Sequence, residues 1–418
     1  MDGKQLCELI DGRQEELFSL LSEFVKIDTQ NFGDHGREAA LAHHLAELGK
    51  KMGLAVDLYS PAELPEVMHS TDFWPGRHLE ERYNVTLTYP GKSDENGLLL
   101  MGHTDTVRIG DPAAWDRDPL SGTVEDGRVY GRGACDDKYA SAAVIFLFRL
   151  LAEQGLRPAK NIDFCAYCDE ECGGSHGAMA ACIRKKYDQI INLDGKDKQI
   201  YGCASGGGEI DIFYHLDGIQ ESAEAATRLL PLILDQVNEF GERRRAELKA
   251  DPAYYGKIPG GILRFLEVSC GHAGSDLGRG HVRFVYYTNR SEEEIESELC
   301  ELDRAIGRAL APYGGVCDGH KRATRHFHYR RVTPTENGIY ALQRAAREAV
   351  GAEIPVVGSC LSDLSVILKY GSSSAFGFGA GREFDAPGGA HQRNEFMECD
   401  SLLNYTKTLG VYILNTLL

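Results

Sequence analysis

No run of apolar residues in this sequence is long enough to cross a membrane. The densest, Ala142 to Phe148, falls far short of the roughly 20 residues that a span requires. The amino-terminal stretch MDGKQLCELIDGRQEELFSLL lacks a basic start followed by an apolar segment, so no secretory signal is expected. Positive charge is scarce: 45 Lys and Arg face 63 Asp and Glu, a formal net charge of −18. That balance argues against nucleic acid or an anionic membrane as a partner. The 12 cysteines show no repeating spacing. Without an export signal they read as reduced thiols, and the cytoplasm is the expected location. There is no internal repeat and no low-complexity tract.

What is present predicts a folded protein of more than one domain. The chain has 418 residues, of which 43% are hydrophobic, enough for a large buried core. At roughly 100–200 residues per domain, two or three domains are expected. The first half alternates helical and strand patterns. Helices are expected at Leu6 to Ile27, Arg37 to Met52, Ala140 to Gln154 and Gly177 to Lys186. Strands are expected at Ala55 to Tyr59, Asn84 to Tyr89, Gly97 to Met101, Ile162 to Cys168 and Ile190 to Leu193. Such alternation predicts an α/β fold, with a mixed or mostly parallel sheet flanked by helices.

The texture changes after Gly206, Gly207 and Gly208, which read as a flexible joint. A strand (Glu209 to His215), a long helix (Glu221 to Leu248) and two strands (Ile262 to Ser269, His281 to Tyr287) follow. A helix (Glu292 to Ala311) and a last strand near Arg325 to Tyr329 complete the series. The order β–α–β–β–α–β is that of a ferredoxin-like α+β domain. The α/β texture resumes near Thr333. The expected division is therefore residues 1–206 and 331–418 in one domain, with 207–330 inserted.

Ligands of open α/β sheets bind beyond the carboxyl ends of strands. Acids and imidazoles collect there. LLLMG ends in His103-Thr104-Asp105, and NIDFCAYC ends in Asp169-Glu170-Glu171. IINL ends in Asp194, GRGACDD places Asp136 before a helix, and the loop after SSAFGFG contains His391. Imidazole nitrogen and carboxylate oxygen suit zinc with an open position for water. Two neighbouring ions need a shared carboxylate, and a further carboxylate must move the proton of the attacking water. In His-x-Asp, the acid can fix the tautomer of the imidazole. Asp136 or Asp137 also suits a helix cap, and Asp137 can cap while Asp136 binds metal.

The segments MGHTDTV, YGRGACDDK, CDEECGGSHGA, INLDGKD, SCLSDLS and GAHQRNEF occur in one order across most of the chain. In these the sequence resembles the cocatalytic dizinc peptidase family. That family includes aminoacylase, acetylornithine deacetylase, succinyl-diaminopimelate desuccinylase and the bacterial glutamate carboxypeptidases. The resemblance implies two divalent ions, zinc first with cobalt or manganese as alternatives, and hydrolysis of an amide bond in a small substrate. It implies that Asp136 bridges the ions, that His103 and Asp194 complete one site, and that Glu171 and His391 complete the other. Glu170 would be the general acid/base and Asp105 the partner of His103. The inserted domain would be a lid, often used for homodimerisation. The lid departs from the family: YHLDGIQESAEAA lacks the expected histidine, which neither His215 nor His272 matches. Ser275 stands where Asn is expected, and YYTNR replaces an Arg-containing strand end. A non-catalytic binder and a carbamoyl-amide hydrolase are the alternatives.

Two weaker motifs have plain readings. Cys165 and Cys168 lie in a strand, where residues three apart point to opposite faces, so they are expected to be core thiols. Gly377-Phe-Gly379-Ala-Gly381 lacks the spacing and following helix of a dinucleotide loop.

Overall fold

The computed structural model describes residues 1–196, 198–216, 223–251, 261–270 and 278–418. The chain divides into two compact units. Unit 1 comprises residues 1–202, 331–357 and 366–418, and unit 2 comprises 203–330 and 358–365.

Unit 1 is built on a mixed sheet. Its strands are β1 (Ala55–Tyr59), β2 (Asn84–Tyr89), β3 (Asn96–His103), β4 (Asn161–Tyr167) and β5 (Gln189–Asn192), then β6 (Ile200–Ala204) and, far along the chain, Phe376–Phe378. In the sheet they run β1-β2-β4-β3-β5, then Phe376–Phe378, then β6. Strand β3 lies parallel to both β4 and β5, and Phe376–Phe378 is parallel to β5. Leu98, Leu99, Leu100 and Met101 of β3 are all buried, as expected of a central strand covered on both faces.

Helices α1 (Gly3–Asp11), α2 (Gln14–Val25), α3 (Ala39–Lys51), α4 (Lys138–Glu153) and α5 (His176–Arg184) flank this sheet. Two more, Ile339–Val350 and Cys399–Leu417, follow in the last third of the chain. Helix α4 packs against α2, Cys399–Leu417 and β3, and is buried from Lys138 to Phe148 without a break. The single helix expected over Leu6 to Ile27 is two. Helix α1 ends at Gly12, and Arg13 leaves helical geometry with φ −127° and ψ 20°. The break lets α1 pack on the last two helices while α2 packs on α4.

Unit 2 holds the strands β7 (Gly206–Leu216), β8 (Leu263–Cys270), β9 (Arg279–Thr288) and β10 (Gly315–Arg322), in the antiparallel order β8-β9-β7-β10. Helices α6 (Ala223–Lys249) and α7 (Glu292–Leu310) pack on it. Their core joins Ile210, Ile212 and Tyr214 to Ile233, Val237, Phe240, Leu299 and Ile306.

Two expectations are corrected here. The closing strand is Gly315–Arg322 rather than Arg325 to Tyr329. As an edge strand it buries only Gly315 and carries a bulge between Cys317 and Gly319, so its sequence shows no alternation. The triplet Gly206–Gly208 is not a joint but the start of β7, paired with Thr288, Tyr287 and Tyr286. Gly207 has φ +149°, and a Cβ there would sit 2.1 Å from the Tyr286 carbonyl oxygen. Glycine serves close backbone approach at this point.

Candidate metal centre

Because β3, β4 and β5 are parallel, their carboxyl ends open on one edge of the unit 1 sheet, and the acids and imidazoles gather there. His103 is the last residue of β3 and is fully buried. Its Nδ1–H donates to the backbone carbonyl of Asp105 at 2.9 Å, which leaves Nε2 as the free nitrogen. That nitrogen lies 3.1 Å from Asp136 Oδ1. Asp136 immediately precedes Asp137, which stands at the cap position of α4 but makes no side-chain cap bond there, its carboxylate accepting the His103 N–H at 3.1 Å; the peptide between the two acids is cis.

His391 reaches the same carboxylate from the other side. It lies in the loop before the short strand Phe396–Glu398, with φ +64°. Its Nε2 is 3.3 Å from Asp136 Oδ2 and 2.7 Å from Glu171 Oε2. Asp136 thus offers one oxygen to each imidazole. Donor atoms of His103, Asp136 and Glu171 lie within 4.8 Å of one another. Asp194, just past β5, is close enough that the charge on Asp136 raises its pKa; burial is the larger cause, and together they push it up to about 6.

The electrostatics are those of an acid-rich site. Burial pushes the Asp136 carboxyl up, but the adjoining imidazoles of His103 and His391 outweigh it and hold the group well below the usual carboxylate range. Burial opposes a charge on His103 as well, yet Asp136 and Glu170 raise its pKa. His391 is also raised, by Glu171 and Asp136 against the cost of burial. Its imidazole is 35% exposed, so water screens part of that attraction. The donor set therefore fits a hard or borderline divalent cation. It is rich in carboxylate oxygen, and the His103 tautomer presents Nε2.

The loop after β4 carries Glu170. Both Asp105 carboxylate oxygens accept the Glu170 backbone N–H, at 3.0 and 3.1 Å, and Oδ2 also accepts that of Glu171 at 3.0 Å. The same carboxylate is 3.8 Å from His103 Nδ1. Asp105 thus meets the imidazole through its main chain and the loop through its side chain.

Several residues in the surrounding shell are not singled out by the sequence. Glu395 accepts from Arg132 at 2.5 Å and from the Cys135 N–H at 3.0 Å. Asn31 donates to Asp105 at 2.7 Å. Arg82 and Arg77 lie against Asp169. Arg82 follows Glu80 and Glu81 in a charged turn, and nothing in that stretch of sequence sets it apart from a surface residue.

The glycine-rich segment after Phe376–Phe378 has a packing role. A Cβ on Gly379 would lie 2.2 Å from the Gly195 nitrogen, and Lys196 bridges to Gly381. Two backbones meet there, beside Asp194. Cys165 and Cys168 are buried free thiols. In unit 2, His215 Nδ1 lies 2.8 Å from Asp318, Asn289 donates to Asp251 at 2.8 Å and Arg290 donates to Glu247 at 2.8 Å. His272 and Ser275 lie outside the described residues.

Comparison with known proteins bears on the whole chain. Succinyl-diaminopimelate desuccinylase of Afipia carboxidovorans is 31% identical over 217 residues, 46% of this chain and 54% of that protein. The chain thus spans little more than half the length of that relative. N-formyl-4-amino-5-aminomethyl-2-methylpyrimidine deformylase of Halalkalibacterium halodurans is 24% identical, over 98% of this chain and 96% of its own length. Among solved structures, human carnosine dipeptidase 1 superposes with a TM-score of 0.73 at 17% identity, covering 99% of this chain and 98% of that one. This likeness shows the fold: a mixed sheet flanked by helices, with a second α+β unit. Residues 99–415 match the sequence pattern of Peptidase family M20/M25/M40, and the chain is a member of that metal-dependent family.

Proposed function

We propose that the chain is a dizinc hydrolase that cleaves an amide bond in a small substrate, an N-acyl amino acid or short peptide. One observation carries the reading: Asp136 turns one carboxylate oxygen to each of two imidazoles, one at the end of β3 and one in the loop that holds His391. That arrangement suits a bridging ligand, with His103 and Asp194 on one ion and Glu171 and His391 on the other. A pair of divalent ions held there supplies Lewis acidity for the carbonyl and a lowered pKa for water. Zinc suits the mixed nitrogen and oxygen donors, as do cobalt and manganese.

In this reading Glu170 takes the proton of the attacking water and returns it to the leaving nitrogen. Asp105 fixes the Glu170 backbone and, through its carbonyl, the His103 tautomer. Unit 2 acts as the lid and as the surface on which two copies pair. Leu266 and Val268, 40% and 42% exposed on the edge strand β8, support that pairing. Twelve free cysteines agree with a cytoplasmic setting. Among the described residues no helix is long and apolar enough to cross a membrane.

The end-to-end alignment with a deformylase favours a second substrate class, a formyl group on a small amine. The test is a panel of N-acyl amino acids, dipeptides, and N-formyl and N-carbamoyl amines, with zinc-loaded wild type beside Glu170→Gln. Turnover that falls by about 10²–10⁴ in the variant, with metal retained, supports the mechanism and names the class. A variant that keeps wild-type turnover removes Glu170 from its role. A metal-loaded wild type inert on every compound moves the reading to a binding protein.

A further inference from the structure

The proposed mechanism leaves a buried group of charges behind the candidate centre unexplained. It lies entirely within unit 1. Arg82, in the turn before β2, is 1% exposed, and Glu38, Asp105 and Asp169 are 0% exposed. The three guanidinium nitrogens face three different carboxylates. Nε lies 2.5 Å from Glu38 Oε1, Nη1 2.7 Å from Asp169 Oδ1 and Nη2 4.0 Å from Asp105 Oδ2. A planar fork spreads its donors over three nitrogens and so reaches acids set apart from one another, whereas a lysine ammonium carries all three of its N–H groups on one atom.

Two of these acids hold the loop that bears Glu170 and Glu171. Asp105 accepts both of their backbone N–H groups. Asp169 begins the loop with φ +64°, a left-handed conformation that a side chain resists unless its surroundings fix it. Its carboxylate is gripped on several sides. His176 Nδ1 is 2.5 Å away, and because the His176 Nε2 accepts the Trp74 N–H, its proton sits on Nδ1 and points at Asp169. Arg77 donates to Asp169 at 3.3 Å and also to the carbonyls of Gly33 and Cys172. Asn31 donates to Asp105 at 2.7 Å and to Asp169 at 3.4 Å, while Arg82 adds Glu38: its Nε donates to Glu38, and its Nη atoms face Asp169 and Asp105 as counter-charges.

We propose that Arg82 is a positioning residue: by joining Asp105 and Asp169 to Glu38 it fixes the Asp169–Glu171 loop, and with it the carboxylates of Glu170 and Glu171. The catalytic part of this proposal rests on the hydrolase reading above; the loop-fixing part does not.

The experiment compares full-length wild type, Arg82→Met and Arg82→Lys. Leu342→Ala, a core variant in the helix Ile339–Val350, controls for loss of stability. Amide hydrogen exchange at Glu170 and Glu171 is followed by mass spectrometry, and kcat and KM are measured on the substrate found by the panel. Exchange at the two amides is expected to accelerate at least tenfold in Arg82→Met. In the same variant kcat should fall about 10–100-fold while KM changes less than about threefold. Arg82→Lys keeps the charge and loses the fork, so it should restore part of both. Should Arg82→Met fail to fold, Arg82→Lys carries the test, because wild-type exchange and kcat in that variant overturn the proposal. Equal effects in Leu342→Ala at matched melting temperature overturn it too. A wild type inert on all substrates ends the hydrolase reading, and exchange still decides the role of Arg82.

Discussion

The carboxylate of Glu395 accepts the backbone N–H of Cys135 at 3.0 Å, a contact between residues 260 apart in sequence. Its other oxygen takes the Arg132 guanidinium at 2.5 Å, and the Glu395 carbonyl accepts the Gly131 N–H. The loop that ends in Asp136 is thereby tied to the segment that follows His391. Glu395→Gln keeps the shape but leaves the buried Arg132 without its counter-charge. A loss of about 3 kcal/mol is expected in urea unfolding, since breaking a buried pair from one side costs about 3–5 kcal/mol. Zinc affinity should fall about 10–100-fold. A variant within 1 kcal/mol of wild type would show that the pair is not holding these loops.

Asp105→Asn separates the two contacts that Asp105 makes. The carbonyl that fixes the His103 tautomer is unchanged, while Oδ2, which accepts from Asn31, Glu170 and Glu171, is at risk of becoming a donor. Metal content should stay near wild type and kcat should fall about 10–100-fold. Loss of metal with intact kcat per bound ion would contradict this division of roles.

His326 predicts how unit 2 responds to acid. The residue is 3% exposed, and among the described residues its Nε2 has no hydrogen-bond partner. Burial first, then His328, Arg322 and Arg325, lower its pKa from 6.5 to about 3. Below pH 6.5 the unfolded chain therefore binds a proton that the folded chain refuses. Stability falls as pH drops from about 6.5 towards 3, with a slope from this group of about 1.4 kcal/mol per pH unit. His326→Gln should flatten that part of the stability profile measured by denaturant unfolding. An unchanged slope would assign the acid sensitivity elsewhere.

Gly207→Ala tests the close approach at the start of β7. With φ +149° and the Tyr286 carbonyl 2.1 Å from the added methyl, the strand must shift. A loss of about 2–3 kcal/mol is expected in thermal or urea unfolding of unit 2. A neutral substitution would mean that the strand pair can relax there.

How much of this was legible in the sequence depends on where the information sits. His103, Glu171 and Asp194 follow short apolar runs, and those runs mark strands that lie parallel in the sheet. A reactive group at the end of such a run is visible without a structure. Arg82 is not. It sits in LEERYN among charged residues that read as surface, and only tertiary packing buries it against Glu38 and Asp169. Glu395 falls inside a recognisable segment, yet its tie to Cys135 needs the fold. Edge strand β10 escaped because GVCDGHKR has no apolar face, and Gly206–Gly208 misled because glycine marks tight contact as readily as freedom.

The interrupted layout of unit 1 has a consequence for synthesis. Strand β5 is fully buried, and its second neighbour is Phe376–Phe378, through Ile191 and Asn192. All of residues 193–375 must be translated between the two. At about 5–20 residues per second the ribosome takes roughly 10–40 s to supply the missing neighbour. Throughout that interval the nascent chain carries an apolar strand with one open edge, a template for pairing with other chains. The half-made chain is therefore open to edge pairing in a way that the finished fold, with that edge covered by Phe376–Phe378, is not.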